Sequence, residues 1–349
     1  MRALITGGAG FIGCNLAARL ASDGVDVTVL DALARPGVER NLAWLQRTYG
    51  ERIEAVRADV RDDAAVQQAA AGSDVVFHLA AQVAVTTSLV EPIDDFEINV
   101  RGTPNVLEAA RRIGAPVIFA STNKVYGDLA DIRLELANEA YLPADGRLRG
   151  RGVDETRPLD FHTPYGCSKG AADQYVLDYA RSFGTPTCVL RMSCIYGPHQ
   201  MGTEDQGWVA HFLIRALKDQ PISIYGDGRQ VRDVLHVDDA VDAYVAAWRR
   251  IERVKGRAFN LGGGPENAVS LLQLLGRIGE LIGEAPKVEF SGWRAGDQRY
   301  FVADTTAARR ELGLGRPKDW RTGVAELAAW LEAEHRPAPV TRPTAEALP

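Results

Sequence analysis

Short apolar runs alternate with stretches of helical spacing through the first half of the chain. Arg2 to Thr6 is an apolar run that ends in glycines, Asn15 to Ser22 has helical spacing, and Val25 to Leu30 is a second run closed by Asp31. The alternation continues with Ile53 to Ala58, Val75 to Leu79, a helix around Val100 to Arg112, Val117 to Ala120, a helix from Tyr165 to Phe183, and Thr187 to Arg191. Strands that alternate with helices of this length predict an α/β chain built on a doubly wound parallel sheet.

Beyond about residue 195 the punctuation changes. Glycine-rich turns at 226–228 and 262–264 separate shorter elements and two amphipathic helices, near Ser270 to Ile282 and Thr322 to Glu334. The expected organisation is a nucleotide-binding domain over 1–195, a smaller C-terminal substrate-binding lobe of mixed α/β structure over 196–336, and a flexible tail over 337–349, which holds four prolines. Val234 to His236 and Phe259 to Leu261 read as strands that return to the first sheet, so segments near 231–261 are assigned to it.

Composition narrows the possible partners. The chain has 349 residues, 46% hydrophobic and 25% charged, within the ordinary globular range. A net charge of −6 offers no basic field for nucleic acid or an anionic membrane, and neither is an expected partner. Cys14, Cys167, Cys188 and Cys194 are widely spaced, which reads as reduced thiols in a cytoplasmic protein. No stretch approaches the roughly 20 apolar residues of a membrane helix, and no metal is expected.

The first candidate chemistry lies at Thr6-Gly7-Gly8-Ala9-Gly10-Phe11-Ile12-Gly13, between a strand and a helix. Gly7 permits a tight turn, Gly10 lets the backbone approach a pyrophosphate, and Gly13 lets the helix pack close to the strand, while the helix N-terminus favours the phosphate charge. Asp31 closes the second strand, where a carboxylate accepts both adenosine ribose hydroxyls and repels a 2′-phosphate. The expectation is NAD in a Rossmann-type domain; Arg35 is the nearby group that would instead suit the phosphorylated cofactor.

The second is Thr163-Pro164-Tyr165-Gly166-Cys167-Ser168-Lys169. Threonine as N-cap and proline at the first helical position start a helix that places Tyr165 and Lys169 one turn apart on one face. A neighbouring ammonium lowers the phenol's pKa, so Tyr165 can take a hydroxyl proton while hydride leaves the same carbon. The strand Val117 to Ala120 runs into Ser121-Thr122-Asn123-Lys124, which places the Thr122 hydroxyl at the carboxyl edge of the sheet.

Together, the glycine segment, His78-Leu79-Ala80-Ala81, Asn99-Val100-Arg101-Gly102-Thr103 and Tyr165-x-x-x-Lys169 resemble the extended short-chain dehydrogenase/reductases that act on nucleotide sugars, over roughly residues 1 to 335. Within that family, Phe96 to Val100, Ser121 to Leu129, Leu159 to His162, Pro164 to Tyr175 and Asp205 to Val209 are similar to segments of the 2-epimerases of CDP-paratose and CDP-tyvelose. Ala32 and the segment Ile195 to Gln200 depart from that narrower pattern.

The resemblance implies that Thr122, Tyr165 and Lys169 are catalytic. It implies that Gly7, Gly10, Phe11, Ile12, Gly13, Asp31, Asp59, Val60, Leu79, Ala81 and Asn99, with Tyr165 and Lys169, surround NAD. Asn123, Arg191, Gln206, Arg232 and Arg299 are implied on the substrate side, where a guanidinium fork matches diphosphate oxygens. The implied activity is NAD-dependent inversion at C2 of a CDP-hexose through a transient 2-keto sugar, with NAD regenerated in each turnover. A nucleotide-sugar 4-epimerase of the UDP-glucose type is the alternative. Family dehydratases carry an Asp-Glu pair where this chain has Asn123-Lys124, and retention of Thr122, Tyr165 and Lys169 argues against a non-catalytic sensor. A homodimer or homotetramer is implied, paired through the helices near Val100 to Arg112 and Tyr165 to Phe183.

Overall fold

The computed structural model describes residues 1–294 and 296–335, so the tail expected from 337 to 349 lies outside the described residues. Seven strands form one sheet: β1 (Arg2–Thr6), β2 (Asp26–Asp31), β3 (Ile53–Arg57), β4 (Val75–His78), β5 (Val117–Thr122), β6 (Thr187–Met192) and β7 (Arg257–Leu261). Their spatial order is β7-β6-β5-β4-β1-β2-β3, and every pairing is parallel. Helices cover both faces, which is why the strands read as continuous apolar runs rather than as alternating ones.

Thr6 is in register with Leu30 on one side and His78 on the other. The strand order turns back at β1, and a crevice opens beyond the carboxyl ends of β1 and β4, where doubly wound sheets take ligands. One face of the sheet packs against helices Phe11–Ser22 and Val237–Arg249, with Leu16, Leu20, Phe77, Ile118 and Tyr244 in a common core. The other packs against Asp63–Ala70, Gly102–Ile113 and Thr163–Phe183 through Val66, Val106, Phe119 and Val176. A third core, with Phe212, Leu213, Leu274, Ile278 and Leu327, joins helices Trp208–Leu217, Leu271–Ile282 and Trp320–His335.

Phe259 to Leu261 returns to the main sheet as part of β7, paired with β6. Val234 to His236 does not. It belongs to Val231–His236, which pairs with Cys194–Tyr196 and Tyr300–Phe301 in parallel and with Ala268–Ser270 in antiparallel fashion. The edge beside β6 is already taken by β7, so this strand completes its hydrogen bonds in a second, small sheet. An antiparallel hairpin, Leu134–Ala137 with Ala140–Pro143, escaped the sequence reading; it turns through Asn138 and Glu139, both at positive φ.

Candidate active site

A cavity of about 590 Å³ runs along the carboxyl edge of the sheet and under the smaller lobe. Gly7, Gly10, Phe11, Ile12, Gly13, Asp31, Asp59, Val60, Leu79 and Ala81 line one end of it. Gly7 has φ +69°, and a Cβ there would lie 2.7 Å from the backbone nitrogen of Ala80. A Cβ on Gly13 would lie 2.2 Å from the Gly7 carbonyl oxygen. Side chains at these positions would fill the cradle at the start of helix Phe11–Ser22, so the donor set and its shape fit a dinucleotide pyrophosphate.

Asp31 also holds the loop together. Its carboxylate accepts from the backbone N–H of Ala9 at 3.0 Å and of Leu33 at 2.8 Å. The Asp59 carboxylate is gripped by Arg61, whose hydrogen bonds hold it below the usual carboxylate range. Asn99 is placed differently from the expectation. It does not line the cavity but stands behind its wall, 2% exposed, with its amide donating to the Gln82 carbonyl oxygen, the Asp95 carboxylate and the Ser168 hydroxyl. A single π-helical turn, Glu97–Arg101, carries it there.

At the middle of the cavity, β5 delivers Thr122 and the helix Thr163–Phe183 delivers Tyr165 and Lys169. The helix begins at Thr163, one residue earlier than expected, with His162 in the N-cap position; the Thr163 hydroxyl still accepts from the Gly166 N–H at 3.3 Å across the first turn. The Tyr165 N–H donates to Ser88 Oγ at 3.1 Å, which anchors the first turn. Lys169 Nζ lies 4.2 Å from the centre of the Phe119 ring.

Burial governs the protonation of this pair. It pushes the Tyr165 phenol up to about 12, against the hydrogen bond with Thr122 and with the help of the Asp95 charge. It pulls Lys169 down to about 7, against the nearby carboxylates Asp173 and Asp95. The expected lowering of the phenol is therefore not met, because burial disfavours the phenolate more than the Thr122 hydrogen bond favours it. His78 is pushed down to about 3 by burial and is neutral. Thr103 Oγ1 donates to the Asn99 carbonyl oxygen and so accepts from His78 Nε2, leaving Nδ1 to accept from Thr6 at 2.7 Å.

Of the residues expected on the substrate side, Asn123, Gln206 and Arg232 line the cavity. Asn123 Nδ2 donates to Gln298 at 3.2 Å, and Arg232 donates to the carbonyl oxygens of Val231 and Gln298. Arg191 is not at the cavity. It lies in the interior, where its guanidinium binds Asp173 through two hydrogen bonds of 2.9 Å and Tyr126 through one of 3.1 Å. Arg299 is also elsewhere, on the surface, with Tyr141 and Trp293 at cation–π distance. Arg294 and Lys124, which the sequence reading did not assign to substrate, do line the cavity: Arg294 is paired with Glu204 at 2.9 Å, and Lys124, pulled down to about 8 by burial, donates from Nζ to the Gly296 carbonyl oxygen at 2.9 Å. Arg294 stands five positions before Arg299.

Residues 3–262 match the model of the NAD dependent epimerase/dehydratase family. The chain is 42% identical over 339 residues to CDP-paratose 2-epimerase from Salmonella typhi, covering 95% of this chain and 99% of that protein. It is 34% identical to dTDP-glucose 4,6-dehydratase from Mycolicibacterium smegmatis, over 95% of this chain and 94% of that one. UDP-glucuronic acid 4-epimerase from Bacillus cereus, solved in complex with UDP-glucuronic acid and NAD, superimposes with a TM-score of 0.82 at 26% identity, over 96% of this chain and all of the other. No helix among the described residues is long and apolar enough to cross a membrane.

Proposed function

Because the chain belongs to the NAD dependent epimerase/dehydratase family, we propose that it inverts C2 of a CDP-hexose of the CDP-paratose and CDP-tyvelose type. The observation that carries the choice of reaction is the pair beside the catalytic hydroxyl. Asn123 and Lys124 follow Thr122 into the cavity, each held by a hydrogen bond, and neither is a carboxyl group that could protonate a departing hydroxyl. The 42% identity to CDP-paratose 2-epimerase over nearly the whole of both chains supports the sugar and the base.

When bound, NAD would supply the hydride acceptor, and its positive charge would favour tyrosinate at Tyr165. The Tyr165 phenolate oxygen takes the C2 hydroxyl proton and later returns it to the same oxygen, after the 2-keto sugar has presented its other face. Lys169 balances the phenolate charge, and the Thr122 hydroxyl donates to the substrate oxygen. Arg232, with Gln206 and Arg294 nearby, holds the diphosphate, and Asn123 orients the sugar. Residues 1–195 with the returning β7 segment carry the cofactor, and 196–336 carry the nucleotide half of the substrate. The enzyme works in the cytoplasm.

The test is NMR of the purified protein with CDP-paratose, CDP-tyvelose, CDP-glucose and UDP-glucose, without added cofactor. Interconversion at C2 with no net NADH is the expected result. Inversion at C4, or no turnover of any CDP sugar, overturns the choice of reaction or substrate.

We also infer a homodimer or homotetramer. Val90, Ile93 and Phe96 expose large apolar side chains on the two short helices Val85–Val90 and Pro92–Phe96, and Tyr175 and Phe183 do so on the long helix beside them. These exposed apolar side chains lie on, or on helices packed against, the long helix that a four-helix interface would use. Light scattering at the mass of a single chain would remove this reading.

A further inference from the structure

Asp95 is 1% exposed on the helix Pro92–Phe96, behind the cavity wall rather than in it. Its Oδ1 accepts from Gln82 Nε2 at 3.1 Å and from Asn99 Nδ2 at 3.2 Å, both neutral donors. Its Oδ2 is buried with no hydrogen-bond partner by geometry, and burial raises the carboxyl's pKa, opposed by nearby Ser168 and by the Lys169 charge that favours the ionised form. A buried carboxylate left with one bare oxygen is costly, and its retention needs a reason.

The surroundings supply one. The Asn99 amide that binds Asp95 also donates to Ser168 Oγ at 3.0 Å, and Ser168 Oγ donates to the Tyr165 carbonyl oxygen at 3.2 Å. Asp95, Asn99, Ser168 and the Tyr165–Lys169 pair therefore form one contiguous buried set. The titratable groups around it are Lys169, Tyr165 and Asp173 on the long helix, Asp94 on its own helix and the neutral His78 on β4. Asp173 is already committed to Arg191, and Asp94 is bound by Arg61. Asp95 is the carboxylate near Lys169 that no cation holds in a hydrogen bond.

We propose that Asp95 is a positioning residue for the acid–base pair: its buried carboxylate sets the charge state of Lys169 and Tyr165 from behind the site. A negative charge there favours the ammonium and opposes the phenolate, so it raises the pH at which each group loses its proton. Removing the charge moves both transitions toward acid. The proposal rests on the reading of Tyr165 and Lys169 as the acid–base pair, and its test includes a measurement that needs no sugar.

The experiment uses the NAD-loaded full-length protein. Ionisation of Tyr165 is followed by tyrosinate absorbance, as the difference between each protein and its Tyr165→Phe counterpart, and the pH–rate profile is taken in the NMR assay. Asp95→Asn is expected to move the Tyr165 midpoint and both limbs of the rate profile to lower pH by about one unit, with KM little changed. Asp95→Glu, which keeps the charge, is expected to return them toward the wild-type values. A loss of rate with the midpoints in place means that Asp95 only packs the wall, and the proposal fails; it fails equally if neither readout changes. If Asp95→Asn does not load NAD, Asp95→Ser provides the same uncharged comparison. Absence of sugar turnover by the wild type would defeat the proposed function, while the tyrosinate titration would still decide the role of Asp95.

Discussion

Replacing Tyr165 by phenylalanine is expected to lower epimerisation by about 10²- to 10⁴-fold, the range that a positioned acid–base group contributes. The substitution removes one oxygen from a side chain that is almost fully enclosed. Its backbone anchor to Ser88 and the turn started by Thr163 do not involve the phenol, so the helix stays in place. NAD content should therefore remain near that of the wild type, which separates loss of chemistry from loss of the site. The rate is read by NMR on the nucleotide sugar and the bound NAD by absorbance after release. A variant that kept more than a tenth of the activity would show that another group takes the hydroxyl proton.

Arg191→Met is expected to destabilise the fold by about 3–5 kcal/mol, the cost of removing one partner from a buried ion pair. Asp173 is fully buried, and apart from the two guanidinium bonds its hydrogen bonds come from the Ser121 hydroxyl and the neighbouring Gln174 amide. Methionine fills much of the volume but leaves that carboxylate without its cation. Tyr126 loses its donor as well and keeps its bond to Asn260 at 2.7 Å. Urea unfolding measures the effect, and KM for the nucleotide sugar in the folded variant should be little changed. A large rise in KM with unchanged stability would restore the substrate role that the sequence implied for this arginine.

The two arginines that lie away from the cavity illustrate where sequence reasoning stops. Arg191 lies on β6 among apolar residues, and its partner Asp173 is on a helix that packs across the sheet. Nothing local distinguishes a guanidinium that will meet a buried carboxylate from one that will meet a diphosphate. Asn99 shows the same limit in milder form: it belongs to the site's supporting wall, one layer behind the surface it was expected to line. Asp95 and Gln82 carried no signal in the sequence, because their burial arises only when the short helices Val85–Val90 and Pro92–Phe96 pack on the long one.

By itself the sequence determined the strand and helix order, the glycine cradle with Asp31 at its far end, and the pairing of Tyr165 with Lys169 one helical turn apart. These follow from local rules: apolar periodicity, the backbone freedom of glycine and the pitch of a helix act within a few residues of one another. Tertiary structure alone decided which basic residues reach the cavity, which sheet Val231–His236 joins, and how far burial shifts the phenol and the ammonium. Those outcomes depend on charge, solvent exclusion and hydrogen-bond partners contributed by segments distant in the chain, and only the folded packing brings them together.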